Sequence, residues 1–159
     1  MILVVITFTQ TPNPIPLPSL NLTKVQGLWY IVAGYPNYLY IDTMCYAAKF
    51  TVLNNTTINV TTTTITKETF FTNIFNMTVS NNGSIWSSMG DSWVWISFDP
   101  VNGTWGTFAL YDTQRAFIFS RSNSLNPTII VSQLALLQSE GYQATLSNTY
   151  FIRNNCEFG

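Results

Sequence analysis

Residues 44–66 read MCYAAKFTVLNNTTINVTTTTIT, two β-prone runs broken by Asn54-Asn55. Tyr, Phe, Val, Ile and Thr crowd both runs, and paired asparagines favour a turn. The segment therefore predicts strands near 44–53 and 57–66. The same pattern continues on either side. Runs near 27–35, 69–79, 84–88, 92–99, 104–111 and 115–121 are divided by turn residues such as Asn81-Asn82-Gly83, Gly90-Asp91 and Pro100-Val101-Asn102-Gly103. Eight strands on short connections favour an up-and-down meander, and eight are enough to close a barrel and remove exposed edges. The reading is all-β: an eight-stranded up-and-down antiparallel barrel.

One segment departs from this pattern. Asn126-Pro127 pairs an N-cap with proline at the first helical position. Ile130, Leu134 and Leu137 then form one apolar stripe, and Gly141 closes the segment. This predicts a single C-terminal α-helix over about 127–140, packed outside the barrel. A short strand near 148–153 leads to Cys156. Residues 11–18 (TPNPIPLP) hold four of the seven prolines, which makes an extended arm and not a sheet interior. The chain thus divides into residues 1–10, an arm at 11–19 and a barrel domain at 20–159. Met1 to Phe8 (MILVVITF) reads as the remnant of a secretory signal peptide or as an N-terminal arm. It is too short to span a bilayer, and no other stretch approaches that length, so no membrane span is expected.

Only 13 of 159 residues are charged, 8% against about 25% in a typical soluble domain. Net charge is −1, and the six basic residues are scattered singly, which argues against nucleic acid. Histidine is absent, which removes Ser-His and Cys-His catalysis and His-ligated zinc. The acids are dispersed, and no phosphate loop or metal-ligand spacing occurs. No catalytic residue, metal or enzymatic activity is expected. Asn and Thr number 16 and 22, and Asn-x-Ser/Thr acceptors begin at Asn21, Asn54, Asn55, Asn59, Asn76, Asn82 and Asn102. They favour a secreted, extracellular glycoprotein; the alternative is that Asn and Thr are simply the preferred polar residues here. Cys45 and Cys156 fit one disulfide in an oxidising compartment, or else two buried thiols.

At this point the chain resembles the lipocalins. Gly27-Leu28-Trp29-Tyr30 is similar to their G-x-W start, Ser97-Phe98-Asp99 resembles their T-D-Y motif with the aspartate kept, and Phe119-Ser120-Arg121 resembles the third motif. The helix and C-terminal cysteine follow in the family's order, over about residues 20–157. The motif layout is closest to the apolipoprotein D and insect bilin-binding branch. There a cysteine on the second strand pairs with one near the C-terminus, as Cys45 and Cys156 would. Pro100 stands in place of the motif tyrosine, and the branch's second disulfide is missing. The resemblance implies that Trp29 closes the narrow end with Arg121 across its ring, a structural contact worth about 1–2 kcal/mol when desolvated. It also implies a small hydrophobic ligand within the barrel.

Side chains alternate across a strand, so parity selects the lining. Cys45 turned outward places Tyr46, Ala48, Phe50 and Val52 inside and Lys49 in solvent. Arg121 at the closed end places Phe117 and Phe119 inside. Glycans on Asn59 and Asn76 would turn Ile58, Val60, Phe71, Phe75 and Met77 inward. By resemblance, Trp93 and Trp95 share the pocket face. These assignments put no charge inside, so the expected partner is a neutral hydrophobic molecule such as a lipid or pigment, with no other cofactor. A carboxylate would have to sit at the mouth or on hydroxyl donors. The rings could instead fill the barrel entirely. The rival function is a structural or surface-assembly glycoprotein, self-associating through its charge-poor surface or N-terminal arm.

Overall fold

The computed structural model describes residues 10–156. The apolar run at 1–8, and with it the signal-remnant reading, lies outside them. Eight antiparallel strands form the barrel: β1 (Gly27–Tyr35), β2 (Thr43–Asn54), β3 (Thr57–Thr66), β4 (Phe70–Ser80), β5 (Ile85–Ser88), β6 (Asp91–Phe98), β7 (Trp105–Leu110) and β8 (Ala116–Ser120). Each pairs with the next, and β1 closes the ring by pairing with both β8 and β2. The turns follow from their residues. Asn54 accepts hydrogen bonds from the backbone and hydroxyl of Thr56, an Asx turn between β2 and β3. Asn81, Asn82 and Gly83 all take positive φ, the left-handed backbone that Asn and Gly tolerate best.

Two gaps interrupt the ring. The β1–β2 ladder stops at Tyr30 opposite Ala47, and above it the C-terminal segment takes the vacant edge. There β9 (Tyr150–Phe151), shorter than the expected 148–153, pairs with Ala33 and Gly34. Asn154 then stitches the seam. Its side-chain Nδ2 donates to Ile31 O at 2.8 Å, and its Oδ1 accepts from Tyr46 N at 2.8 Å. Cys156 completes the closure through a disulfide to Cys45, whose Cα lies 6.1 Å away. The second gap arises because on β4 the short β5 reaches only Thr78, Val79 and Ser80. Among the described residues, the earlier part of β4 is paired on its β3 side alone.

Apolar side chains form two layers. Inward ones build the barrel core, and outward ones of β1, β6, β7 and β8 pack beneath helix α2 (Pro127–Ser139). The helix buries Leu134 and Leu137 from the expected stripe, with Ile130 partly covered, and Asn126 caps Thr128 N. A one-turn helix, α1 (Leu22–Val25), lies just before β1 and buries Val25 completely. The Pro-rich arm lies on its own barrel. Asn13, Ile15 and Leu17 donate their amides to Glu140 O, Glu140 Oε1 and Trp95 O, at 2.9, 2.8 and 2.9 Å. The prolines at 12, 14, 16 and 18 fall between these donors, so the missing N–H groups are those that no bond requires.

Candidate functional site

The lower half of the barrel is a solid aromatic plug. Trp29, Trp86 and Trp95 are fully buried there, packed against one another and against Phe50, Phe98 and Phe119. Trp29 Nε1 donates to Val25 O, and Arg121 lies over its ring with the guanidinium carbon 3.8 Å from the centroid. The same guanidinium donates to Leu28 O, Lys24 O and Gln26 O at 2.8 Å, tying α1 to β1 and β8. Gly27 is required here twice over. Its φ is +103°, and a Cβ would lie 3.2 Å from Arg121 Nη1.

Asp99 organises the neighbouring β6–β7 turn. Its carboxylate accepts from the amides of Val101, Asn102 and Thr104 and from the Thr104 hydroxyl. Burial works against the charge, but these four donors outweigh it and hold the Asp99 carboxyl below its usual range.

Above the plug, the barrel is hollow. A cavity of about 260 Å³ opens at the end where the β1–β2, β3–β4, β5–β6 and β7–β8 connections gather. Phe50, Phe108 and Phe119 belong to both the plug and the cavity and form its floor. One wall is a ring stack in which Trp93 lies between Phe108 and Phe117, with centroids 5.1 and 5.2 Å away and interplanar angles of 23° and 14°. Opposite stand Tyr46 and Ala48 of β2, Val60 and Thr62 of β3, and Asn73, Phe75 and Met77 of β4.

The structure therefore brings together nine of the thirteen side chains expected inside: Tyr46, Ala48, Phe50, Val60, Phe75, Met77, Trp93, Phe117 and Phe119. Ile58 and Trp95 also point inward, but they are fully buried in the core without bordering the open space. Two others need correction. Val52 is half-buried beside α1 at the closed end. Phe71 shares the parity of Phe75 but lies where β4 lacks a β5 neighbour, and it is 46% exposed.

The absence of charge inside also needs correction, because Arg115 lines the cavity at its mouth. Strand parity contained this signal: residues 115 and 121, flanking β8, share the parity of Phe117 and Phe119, and placing Phe117 inside places Arg115 there too. Its guanidinium carbon sits 5.9, 5.7 and 5.5 Å from the ring centroids of Tyr40, Trp93 and Phe117. Nε donates to Tyr40 Oη at 2.9 Å. Tyr40 itself belongs to the β1–β2 connection and gave no sequence signal. Its ring lies on the bare backbone of Gly34, where a Cβ would approach within 2.6 Å. Burial pushes the Tyr40 phenol up to about 12 despite the nearby Arg115 charge, and it pushes Tyr46 up as well. Both stay protonated at neutral pH. Asp91 is the second charge bordering the cavity and is exposed. Among the described residues, no group of three His, Cys, Asp or Glu is placed to hold a metal ion.

No protein-family model matches the chain, and no curated protein matches it in sequence. Solved structures do match its fold. Lipocalin 12 from rat epididymis superimposes with a TM-score of 0.70 at 16% identity, over 92% of this chain and 93% of that one. The siderocalin Ex-FABP gives 0.69 at 14%, over 84% and 96%. Lobster apocrustacyanin A1 gives 0.63 at 12%, over 93% and 92%. The fold is that of the lipocalins. Within it, the expected Cys45–Cys156 bridge and the packing of Arg121 on Trp29 are both present. No helix among the described residues is long and apolar enough to cross a membrane.

Proposed function

We propose that this chain is a secreted, glycosylated carrier that binds one small hydrophobic molecule in the upper half of its barrel. The observation that carries this reading is the division of the interior. A solid plug seals one end, while the other holds an aromatic-walled space near the lower limit of ordinary ligand sites, roughly 300–1,000 Å³. Among the structural neighbours, the siderocalin Ex-FABP is described as working through dual ligand specificities, which shows that this fold can serve binding. The bridge from β2 to the C-terminal segment is the feature that supports a place in the apolipoprotein D and bilin-binding branch. It also suits an oxidising compartment.

The acceptor asparagines fit this reading. Asn21, Asn54, Asn55, Asn82 and Asn102 are turn or α1-flanking residues at the sealed end, and Asn54, Asn55, Asn82 and Asn102 are exposed. Glycans there would leave the mouth clear. Asn59 and Asn76 face each other across β3 and β4 on the outer surface, where Asn59 Nδ2 donates to Asn76 Oδ1 at 2.9 Å. The assembly alternative is weaker, because the described part of the arm it would use is seated on its own barrel.

Titration with the apolar fluorophore N-phenylnaphthylamine tests the pocket. The expected result is enhanced emission saturating at one probe per chain, lost in Thr62→Trp, which fills the cavity from β3. Emission that never saturates, or is unchanged by Thr62→Trp, overturns the reading. Native mass spectrometry before and after deglycosylation tests the attached sugars, and an unshifted mass removes that part.

A further inference from the structure

The two arginines that contact aromatic rings are used differently. Arg121 spends both Nη groups on three backbone carbonyls. Arg115 has, among the described residues, a single guanidinium hydrogen bond, made by Nε to Tyr40. No described carboxylate pairs with it, and Asp91 on the same rim forms no ion pair. Three rings hold the guanidinium at 5.5 to 5.9 Å from their centroids, so its position is set before any ligand arrives. Its two Nη groups carry the four remaining N–H donors of the guanidinium, and no described residue accepts from them.

We propose that the cavity is built for an amphiphile whose anionic headgroup, a carboxylate or a phosphate monoester, pairs with the Nη edge of Arg115 while its apolar chain occupies the aromatic well. This rests on the ligand-binding reading above and adds the class of ligand. A planar guanidinium fork matches both headgroups bidentately, and ring packing on the cation removes water that would otherwise weaken the attraction. Tyr40 serves as a positioning residue. Its oxygen accepts from Nε, which turns the remaining donors of Arg115 away from it. Gly34 makes that support possible, since any side chain there would displace the Tyr40 ring. Asp91 opposes the anion, and its exposure to solvent limits the repulsion.

Calorimetric titration with decanol, decanoate and decyl phosphate, three probes sharing one chain, separates the contributions. The intact protein is expected to bind decanoate or decyl phosphate at least about tenfold tighter than decanol, the range of a charge-assisted hydrogen bond that is partly solvated. The tighter of the two anions identifies the headgroup. In Arg115→Met the anion-to-alcohol ratio is expected to fall to near one, and Arg115→Lys should keep part of it. Asp91→Asn should raise it a few-fold. Circular dichroism and thermal unfolding establish that each variant is folded. Decanol binding without an anion preference, or a preference that survives Arg115→Met, overturns the headgroup assignment and leaves the apolar cavity intact. Binding of none of the three overturns the cavity reading itself.

Discussion

Single polar residues decide how this nearly uncharged chain closes on itself. Asn154 is 1% exposed, takes a left-handed φ of 51°, and bonds both sides of the β1–β2 seam. Asn154→Ala should cost about 2–4 kcal/mol in denaturant unfolding, because it strands buried backbone groups of Ile31 and Tyr46. Nothing in the sequence marked this asparagine, since its two seam partners, Ile31 and Tyr46, lie more than a hundred residues away and only the closed barrel brings them together. Asp99 was legible through its motif, though its role as acceptor for a whole turn was not. With its folded pKa depressed, Asp99 contributes stability that is fully present above the ordinary carboxylate range, about pH 4, and is lost as pH falls through the folded value. Acid unfolding of Asp99→Asn should therefore be flatter on that limb than that of the wild type.

At the scale of elements, strand periods and turn residues placed all eight barrel strands and the helix to within about two residues, the usual precision of element ends. Less legible was the arm. Its prolines predicted an extended arm outside the sheet interior, and their spacing also encodes a one-sided row of donors that docks on β6 and on the residue after α2. Glu140 is the anchor. Burial raises its carboxyl, the Ile15 amide acts against that, and Oε2 has no hydrogen-bond partner among the described residues. Ile15→Pro should cost about 1–3 kcal/mol, since it removes the donor to a buried oxygen. Ile15→Ala should be nearly neutral, because the side chain itself is 66% exposed. Equal effects of the two substitutions in thermal unfolding would contradict this account of the arm.

Across the whole molecule, the disulfide joins segments 111 residues apart and clamps the seam that Asn154 stitches. Replacing both cysteines by alanine should lower stability by about 4–5 kcal/mol on the chain-entropy view. Ligand affinity should change little, since Cys45 faces away from the interior. Parity along each strand was enough to collect most of the cavity wall. It failed where neighbouring strands differ in length. The short β5 leaves Phe71 in solvent, and the depth of the aromatic plug removes Ile58 and Trp95 from the open space. Depth along the barrel axis depends on how large rings interlock, and a two-residue repeat carries no such information. The proposed ligand site is the apolar cavity of the upper barrel. Calorimetric titration of decanol at several temperatures tests it most directly: one site per chain with a negative heat-capacity change, abolished by Thr62→Trp, is the expected result. Absence of saturable binding, or identical binding by the Thr62→Trp variant, would contradict it.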